Sequence, residues 1–419
     1  MNWISELFIA ALTLHVIIEL VLNVRQSVKV GLSRKAVPEP FADRITLEDH
    51  QKAVDYTRAK LRLARQQLFF DAAILYVMTL GGGFEALYRL WLDSGLAPLW
   101  RETGFVLTTL WLLSLLHLPF QLIRTFKIEA EFGFNRTTPR QFVIDLIKGW
   151  LLGAALGIPI VAALVWLMQQ LLDAQWWLWA WALWMGFNLF ILWAWPRWIA
   201  PLFNKFTPLE DDTLRQRIEN LLARTGFASN GVFVMDGSRR SSHGNAYFAG
   251  MGRNKRIVFF DTLLEKLEPE EIEAVLAHEL GHFRHGHIKK RLLLSALISL
   301  AGFWLLNWLM QQPEFFTGLG VQPPSPGTAL VLFVTAVPVF FFWLGPLMAL
   351  LSRKHEFEAD AFAAEQVGSD AMIRALLKLY RDNAAPLVQD EWYSAWHDSH
   401  PPAPVRIEHL QRHKEQHHD

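Results

Sequence analysis

The sequence predicts a mainly α-helical, polytopic membrane protein carrying one hydrophilic catalytic unit with a small β-sheet, and three observations lead there. Of 419 residues, 52% are hydrophobic and 19% charged, against about 25% charged in soluble domains. Nineteen tryptophans suit the bilayer surface, where the ring lies in apolar surroundings and its N–H stays wet. Seven apolar stretches, at residues 4–22, 68–90, 105–123, 150–172, 176–195, 292–310 and 329–351, come close to the about 20 residues a helix needs to cross hydrocarbon.

The first stretch has no basic leader and no small-residue cleavage site, so it is expected to stay as an anchor. Basic residues cluster after the first, third and fifth stretches and in the tail. The turn after the second offers only Arg101, and those after the fourth and sixth offer none. By the positive-inside rule the N-terminus is expected outside, with the large hydrophilic segments and the C-terminus in the cytoplasm. Glu6, His15, Glu19, Asp71 and Glu85 fall within the stretches. Ionisable groups are costly in lipid, so they are expected to face an internal, water-accessible space. The formal net charge is zero, which excludes the basic footprint of a nucleic-acid binder. Cysteine is absent, so a metal must be held by histidines and carboxylates.

The chain divides into membrane stretches at 1–200, a hydrophilic segment at 201–290, further membrane stretches at 291–352 and a hydrophilic end at 353–419. In the second part, residues 213–224 have a helical period, and 231–236, 245–250 and 256–261 read as strands. The Gly252-Arg253-Asn254-Lys255 run suits a hairpin turn. A helix is expected from Pro269, with Glu270, Glu271 and Glu273 early in it, where the helix dipole favours anions.

That helix contains His278-Glu279-Leu280-Gly281-His282. Residues four apart share a helix face, so both imidazoles can reach one ion. Glu279 lies about 100° round the helix from His278, near enough to activate a water. This is the HExxH arrangement of zinc peptidases. On the helical wheel Glu279 falls within the apolar arc of Ile272, Val275, Leu276, Leu280 and Phe283. A carboxylate there is expensive unless something compensates it, as a metal site beside it would. Hydrolytic zinc takes three protein ligands and leaves one position open. Glu356 is the candidate third ligand. Asp360, one turn later, is placed to accept the free N–H of a ligand histidine. Glu358 points elsewhere and reads as a surface residue, and His285 and His287 are wrongly spaced to join the two ligands.

Around these residues the chain resembles the Ste24 family, the CAAX prenyl endopeptidases among the M48 metallopeptidases. The likeness rests on FGFN at 132–135, IAPLF at 199–203, KFTPL at 205–209, RSSH at 240–243, NAYF at 245–248, KRIV at 255–258, HELGH at 278–282, SR at 352–353, EF at 356–357 with ADA at 359–361, and SHPP at 399–402. It implies seven transmembrane helices enclosing a chamber, closed by a zincin-like catalytic domain. His278, His282 and Glu356 would hold one Zn2+, with Glu279 as catalytic acid/base. Asn245 and Ala246, with Tyr247 beside them, match an edge strand that binds extended peptide by backbone pairing. His400 and Arg406 match residues bordering the site, His400 as a donor to the oxyanion and Arg406 as a substrate-binding residue. Ala249 stands where eukaryotic members often have tyrosine, and the tail, ending Glu415-Gln416-His417-His418-Asp419, has no ER-retrieval signal. A bacterial plasma-membrane protein is therefore expected, acting on peptide or protein substrates that in the family are lipidated.

Three other classes of protein share part of this pattern. A site-2 protease would bury HExxH in a span, but Glu270, Glu271, Arg284, Lys289, Lys290 and Arg291 flank it here. An M48 quality-control protease shares the chemistry and differs in substrate. A transporter or scaffold with structural zinc would not need Glu279.

Overall fold

A computed structural model describes residues 2–170, 175–249 and 255–416. The helices, in order, begin with α1 (Trp3–Ser33), α2 (Leu47–Met78), α3 (Gly83–Leu92), α4 (Pro98–Ile123), α5 (Pro139–Gln170) and α6 (Trp176–Ala194). Wide π turns extend α4 through Arg124–Glu129 and α6 through Trp195–Ile199, before the short α7 (Ala200–Phe203). Next come α8 (Asp212–Thr225), α9 (Asp261–Leu264), α10 (Pro269–Arg284) and α11 (His287–Met310). Then follow α12 (Pro313–Gly318), α13 (Pro326–Thr335), α14 (Pro338–Phe341) and α15 (Leu344–Val367). The chain closes with α16 (Ser369–Asp382), α17 (Glu391–His397) and α18 (Ala403–Gln416).

Local chemistry sets these boundaries. The Asn2 side chain accepts from the Ile4 and Ser5 amides at the start of α1, and Thr46, Asp211, Ser325 and Asp390 cap α2, α8, α13 and α17 in the same way. Such caps satisfy amides that the helix itself cannot. Before α10, Glu271 reaches back to the Glu268 amide at 2.8 Å, and Pro269 occupies the first helical position.

Among the described residues, five helices are long and apolar enough to cross a membrane: α1, α4 with its π turn, α5, α6 through α7, and α11. The other two expected stretches are broken. α2 and α3 meet at 50°, where Gly81, Gly82 and Gly83 interrupt the helix, and the 329–351 stretch bends by 73° between α14 and α15. The protein is thus a multi-pass membrane protein with five to seven spans. Large apolar side chains such as Leu151, Trp179, Leu293, Trp304 and Leu347 are exposed on these helices, a surface suited to a bilayer and not to water. Phe8, Phe84, Tyr88, Phe105, Met168 and Trp176 form the interior of the bundle. Buried Glu102 is fully engaged there: it accepts from Tyr88 Oη and Ser325 Oγ at 2.6 Å each and from the Gly327 amide at 3.0 Å.

The ionisable groups in the spans divide. Asp71 pairs with His117 at 2.8 Å, and Glu19 with His397 at 3.3 Å. His15 packs edge-on against Phe342. Glu85 departs from the expectation of an internal position: it sits beyond the glycine break and pairs with the exposed Arg89.

The sheet has four strands, β1 (Phe206–Pro208), β2 (Val232–Met235), β3 (Ala246–Ala249) and β4 (Arg256–Phe260), in the order β1-β2-β4-β3. β2 and β4 run parallel with Val232 opposite Ile257, and β3 pairs antiparallel with β4, Ala246 opposite Phe259. β3 is therefore an edge strand. β1 was not anticipated, being three residues long and ending in proline. The expected turn at 252–255 lies largely outside the described residues. Behind the sheet a second core gathers Ile218, Leu221, Phe259, Leu276, Leu280 and Leu410, joined by Phe41 and Ile45 from the first hydrophilic loop. The FGFN and RSSH segments meet between the two cores, with Phe134 stacked on His243 at 4.4 Å.

Candidate active site

α10 and α15 cross at their closest where α10 carries Gly281. A Cβ at that position would lie 2.8 Å from the Ala359 Cα, so glycine is what permits the approach. The contact brings His278, His282 and Glu356 together. His278 Nε2 and His282 Nε2 are 3.2 Å apart, and each lies 3.4 Å from a Glu356 carboxylate oxygen. A tetrahedral centre with bonds of about 2.0–2.1 Å separates its ligand atoms by about 3.3–3.4 Å, the scale of these contacts, in which His278 meets Glu356 Oε2 and His282 meets Glu356 Oε1. Among the described residues this is the one group of three or more such side chains whose ligand atoms fall within 4.8 Å of one another. Glu356 is 2% exposed, and its Oε2 has no hydrogen-bond partner. A buried carboxylate oxygen left unpaired is costly, and a divalent cation is the group that would satisfy it.

The electrostatics agree. Burial disfavours the charged form of His278, but the Asp360 and Glu356 carboxylates outweigh it and raise its pKa to about 9. Burial, aided by the positive charge on His278, pushes His282 down to about 3. Burial also raises the Glu279 pKa, as suits a general base that must trade protons near neutrality. Glu279 has no hydrogen-bond or ion-pair partner among the described residues. It faces a cavity of about 760 Å³ shared with His282, Glu356, Tyr247, Trp396 and His400.

Each ligand histidine is backed by further groups. His278 Nδ1 lies 2.9 Å from Asp360 Oδ1, although not along the line of an N–H bond. Asp360 is held by Arg406 through two hydrogen bonds, of 2.8 and 2.6 Å. Arg406, expected to meet substrate, is instead buried behind Asp360 and does not line the cavity. Its guanidinium is placed to hold a carboxylate within the protein. His282 Nδ1 lies 3.0 Å from His287 Nδ1, and His287 Nε2 lies 2.8 Å from Glu358 Oε2. The expectation that His287 and Glu358 are bystanders is therefore corrected. His287 is 1% exposed and enclosed between His282, His355 and Glu358. Helical spacing could not reveal this, because Gly286, at φ 67°, ends α10 and turns the chain so that His287 folds back.

The remaining expected residues lie around the cavity. His400 places Nε2 3.4 Å from Glu356 Oε2, with Nδ1 2.9 Å from Ser399 Oγ. Tyr247 lines the cavity, whereas Asn245 and Ala246 do not. They stand at the start of edge strand β3, where the Asn245 carbonyl accepts from the Phe260 amide.

Comparison with known proteins gives this arrangement its family. Residues 26–205 match the CAAX prenyl protease N-terminal family, described by five membrane helices, and residues 208–414 match peptidase family M48. The CAAX prenyl protease 1 homolog of Oryza sativa subsp. japonica is 34% identical over 97% of both chains. CAAX prenyl protease 1 of Saccharomyces cerevisiae is 32% identical over 90% of this chain and 88% of its own. The CAAX prenyl protease 1 homolog of Homo sapiens is 33% identical over 81% of each. The crystal structure of S. mikatae Ste24p superposes with a TM-score of 0.90 at 29% identity, covering 98% of this chain and 99% of that one. With a His-His-Glu group able to hold a metal ion, and matches that run along nearly its whole length, this chain is a member of the M48 metallopeptidases, in their integral-membrane CAAX prenyl protease (Ste24) family.

Proposed function

We propose that the protein is a zinc endopeptidase that trims the C-terminal residues of prenylated CAAX peptides, with His278, His282 and Glu356 holding one zinc ion. The observation that carries the reading is the gathering of His278, His282 and the Glu356 carboxylate at contacts of 3.2 and 3.4 Å beside Glu279, which has no hydrogen-bond or ion-pair partner among the described residues. The chemistry a bound zinc supplies is a water of pKa near about 7 and a polarised scissile carbonyl. Glu279 accepts the proton of the attacking water and passes it to the leaving amine. Asp360, clamped by Arg406, orients His278. His400 donates to the developing oxyanion, a role its position near Glu356 allows. An extended peptide adds to β3 beside Asn245 and Ala246, with Tyr247 at the cavity wall, through the backbone groups of the edge strand.

A lipidated substrate is favoured by the cavity wall, where Leu294, Met348, Ala349 and Trp396 offer apolar surface beside the polar site. The Asp71–His117 pair between two spans, and Glu19 of α1 paired with His397 of α17, support a hydrated chamber among the helices. The loop charges favour an outside N-terminus and a cytoplasmic site, in a bacterial inner membrane.

The test compares a farnesylated CAAX peptide, its unprenylated copy and an unfolded membrane protein as substrates of the purified, zinc-loaded chain. Selective cleavage of the farnesylated peptide is expected. Equal cleavage of the two peptides removes the lipid requirement, preference for the unfolded protein makes the enzyme a quality-control protease, and no cleavage of any substrate overturns the hydrolase.

A further inference from the structure

The two ligand histidines are supported in different ways. His278 meets a carboxylate directly, because Asp360 lies one turn beyond Glu356 on the same face of α15. Glu358, two residues beyond Glu356, projects from the opposite side of that helix. It approaches His282 only through another ring: His287 Nε2 is 2.8 Å from Glu358 Oε2, and His287 Nδ1 is 3.0 Å from His282 Nδ1. Both nitrogens of His287 are thereby engaged, and its side chain is 1% exposed.

The hydrogen-bond inventory of this row permits one assignment that leaves His282 able to ligate. An ionised carboxylate only accepts, so Glu358 takes the Nε2–H of His287. A neutral His287 then has a lone pair on Nδ1 and accepts the Nδ1–H of His282. His282 is left with its lone pair on Nε2, the atom facing His278 Nε2 and Glu356. Which nitrogen of an imidazole ligates is set by the hydrogen bond its other nitrogen makes.

We propose that Glu358 and His287 are positioning residues that fix His282 in the Nδ1–H tautomer, and so set the affinity of the site for zinc. His287 is the first residue of α11, so the relay also ties the metal site to a membrane span. The row of rings is not a second metal site. His287 stacks parallel to His355 at 4.0 Å and to His285 at 5.6 Å, which turns their nitrogens away from a common point.

The proposal rests on the zinc reading above, and its test keeps the two separable. Zinc affinity is measured by chelator competition on the full-length, detergent-purified chain, wild type beside E358A and E358Q, together with the melting temperature of each metal-free form. Glu358 is 30% exposed, so both variants are expected to fold. E358A should weaken zinc binding about tenfold or more, the range found when a partner of a ligand histidine is lost. E358Q, whose amide oxygen still accepts from His287, should stay within about threefold of wild type. Melting temperatures of the metal-free forms should be unchanged. E358A binding zinc as tightly as wild type overturns the proposal. So does a loss of affinity matched by a lower metal-free melting temperature, which would mark a packing role. A wild-type chain that takes up no zinc would overturn the metal reading itself.

Discussion

In α10, Ile272, Ala274, Leu276, Ala277 and Leu280 are buried, and Gly281 rests against the α15 backbone with no room for a Cβ. In α5, a membrane span of twice that length, Gly153 faces open space and Leu151 is 66% exposed. The charged groups contrast in the same way. Asp360 and Arg406 form a pair sealed from solvent, whereas Glu85 and Arg89 pair at an exposed helix end. The spans need lipid-compatible surfaces and leave slack between elements. On the proposed reading the catalytic unit must hold three ligand atoms to within a few tenths of an ångström, and the close approach of α10 to α15 at Gly281 removes the slack between them.

The largest effect expected from this contrast is on the buried pair. Arg406→Ala leaves the buried Asp360 carboxylate beside His278 but without its clamping guanidinium and should cost about 3–5 kcal/mol, whereas Arg89→Ala should cost about 0–1 kcal/mol. Chemical denaturation of the two variants in one detergent measures the difference, and equal losses would erase the distinction. Gly281→Ala comes next. Its Cβ would have to push the α15 backbone aside, at about 1–3 kcal/mol, with a parallel loss of zinc affinity as the ligands separate. Gly153→Ala meets no atom within 4 Å and should be neutral or stabilise by up to about 1 kcal/mol through helix propensity. The smallest effect concerns pH. Glu279 must be ionised to accept a proton, so activity is lost as pH falls through its pKa. Burial raises that pKa, so the acid limb of the kcat/KM profile should lie above the about 4.3 of a free glutamate. A limb at or below that value would remove the shared burial from the account of the base.

Much of this was legible in the sequence because the relevant chemistry is periodic. His278 and His282 stand four apart on one helix, and so do Glu356 and Asp360, so each pair could be assigned to a face. Apolar runs located the five long span helices and the two bent helix pairs. What escaped were the places where periodicity breaks. The glycines at 81–83 and the bend between α14 and α15 divide stretches that hydropathy alone reads as continuous. Gly286 returns His287 to His282, a contact that helical spacing forbids. Arg406 was identified by resemblance and given to the substrate, since nothing in its own segment shows that Asp360 awaits it from α15. Strand β1 was too short to carry an alternating pattern.

The central claim is that side chains from two helices hold one metal while a fourth, which does not touch it, moves the proton. Metal content and turnover measured together on Glu356→Ala and Glu279→Gln test it most directly. Both variants should lose turnover, but Glu356→Ala should lose the zinc while Glu279→Gln keeps one ion per chain. A Glu356→Ala chain that retains a full equivalent of zinc, or a Glu279→Gln chain that still cleaves peptide at the wild-type rate, would contradict it.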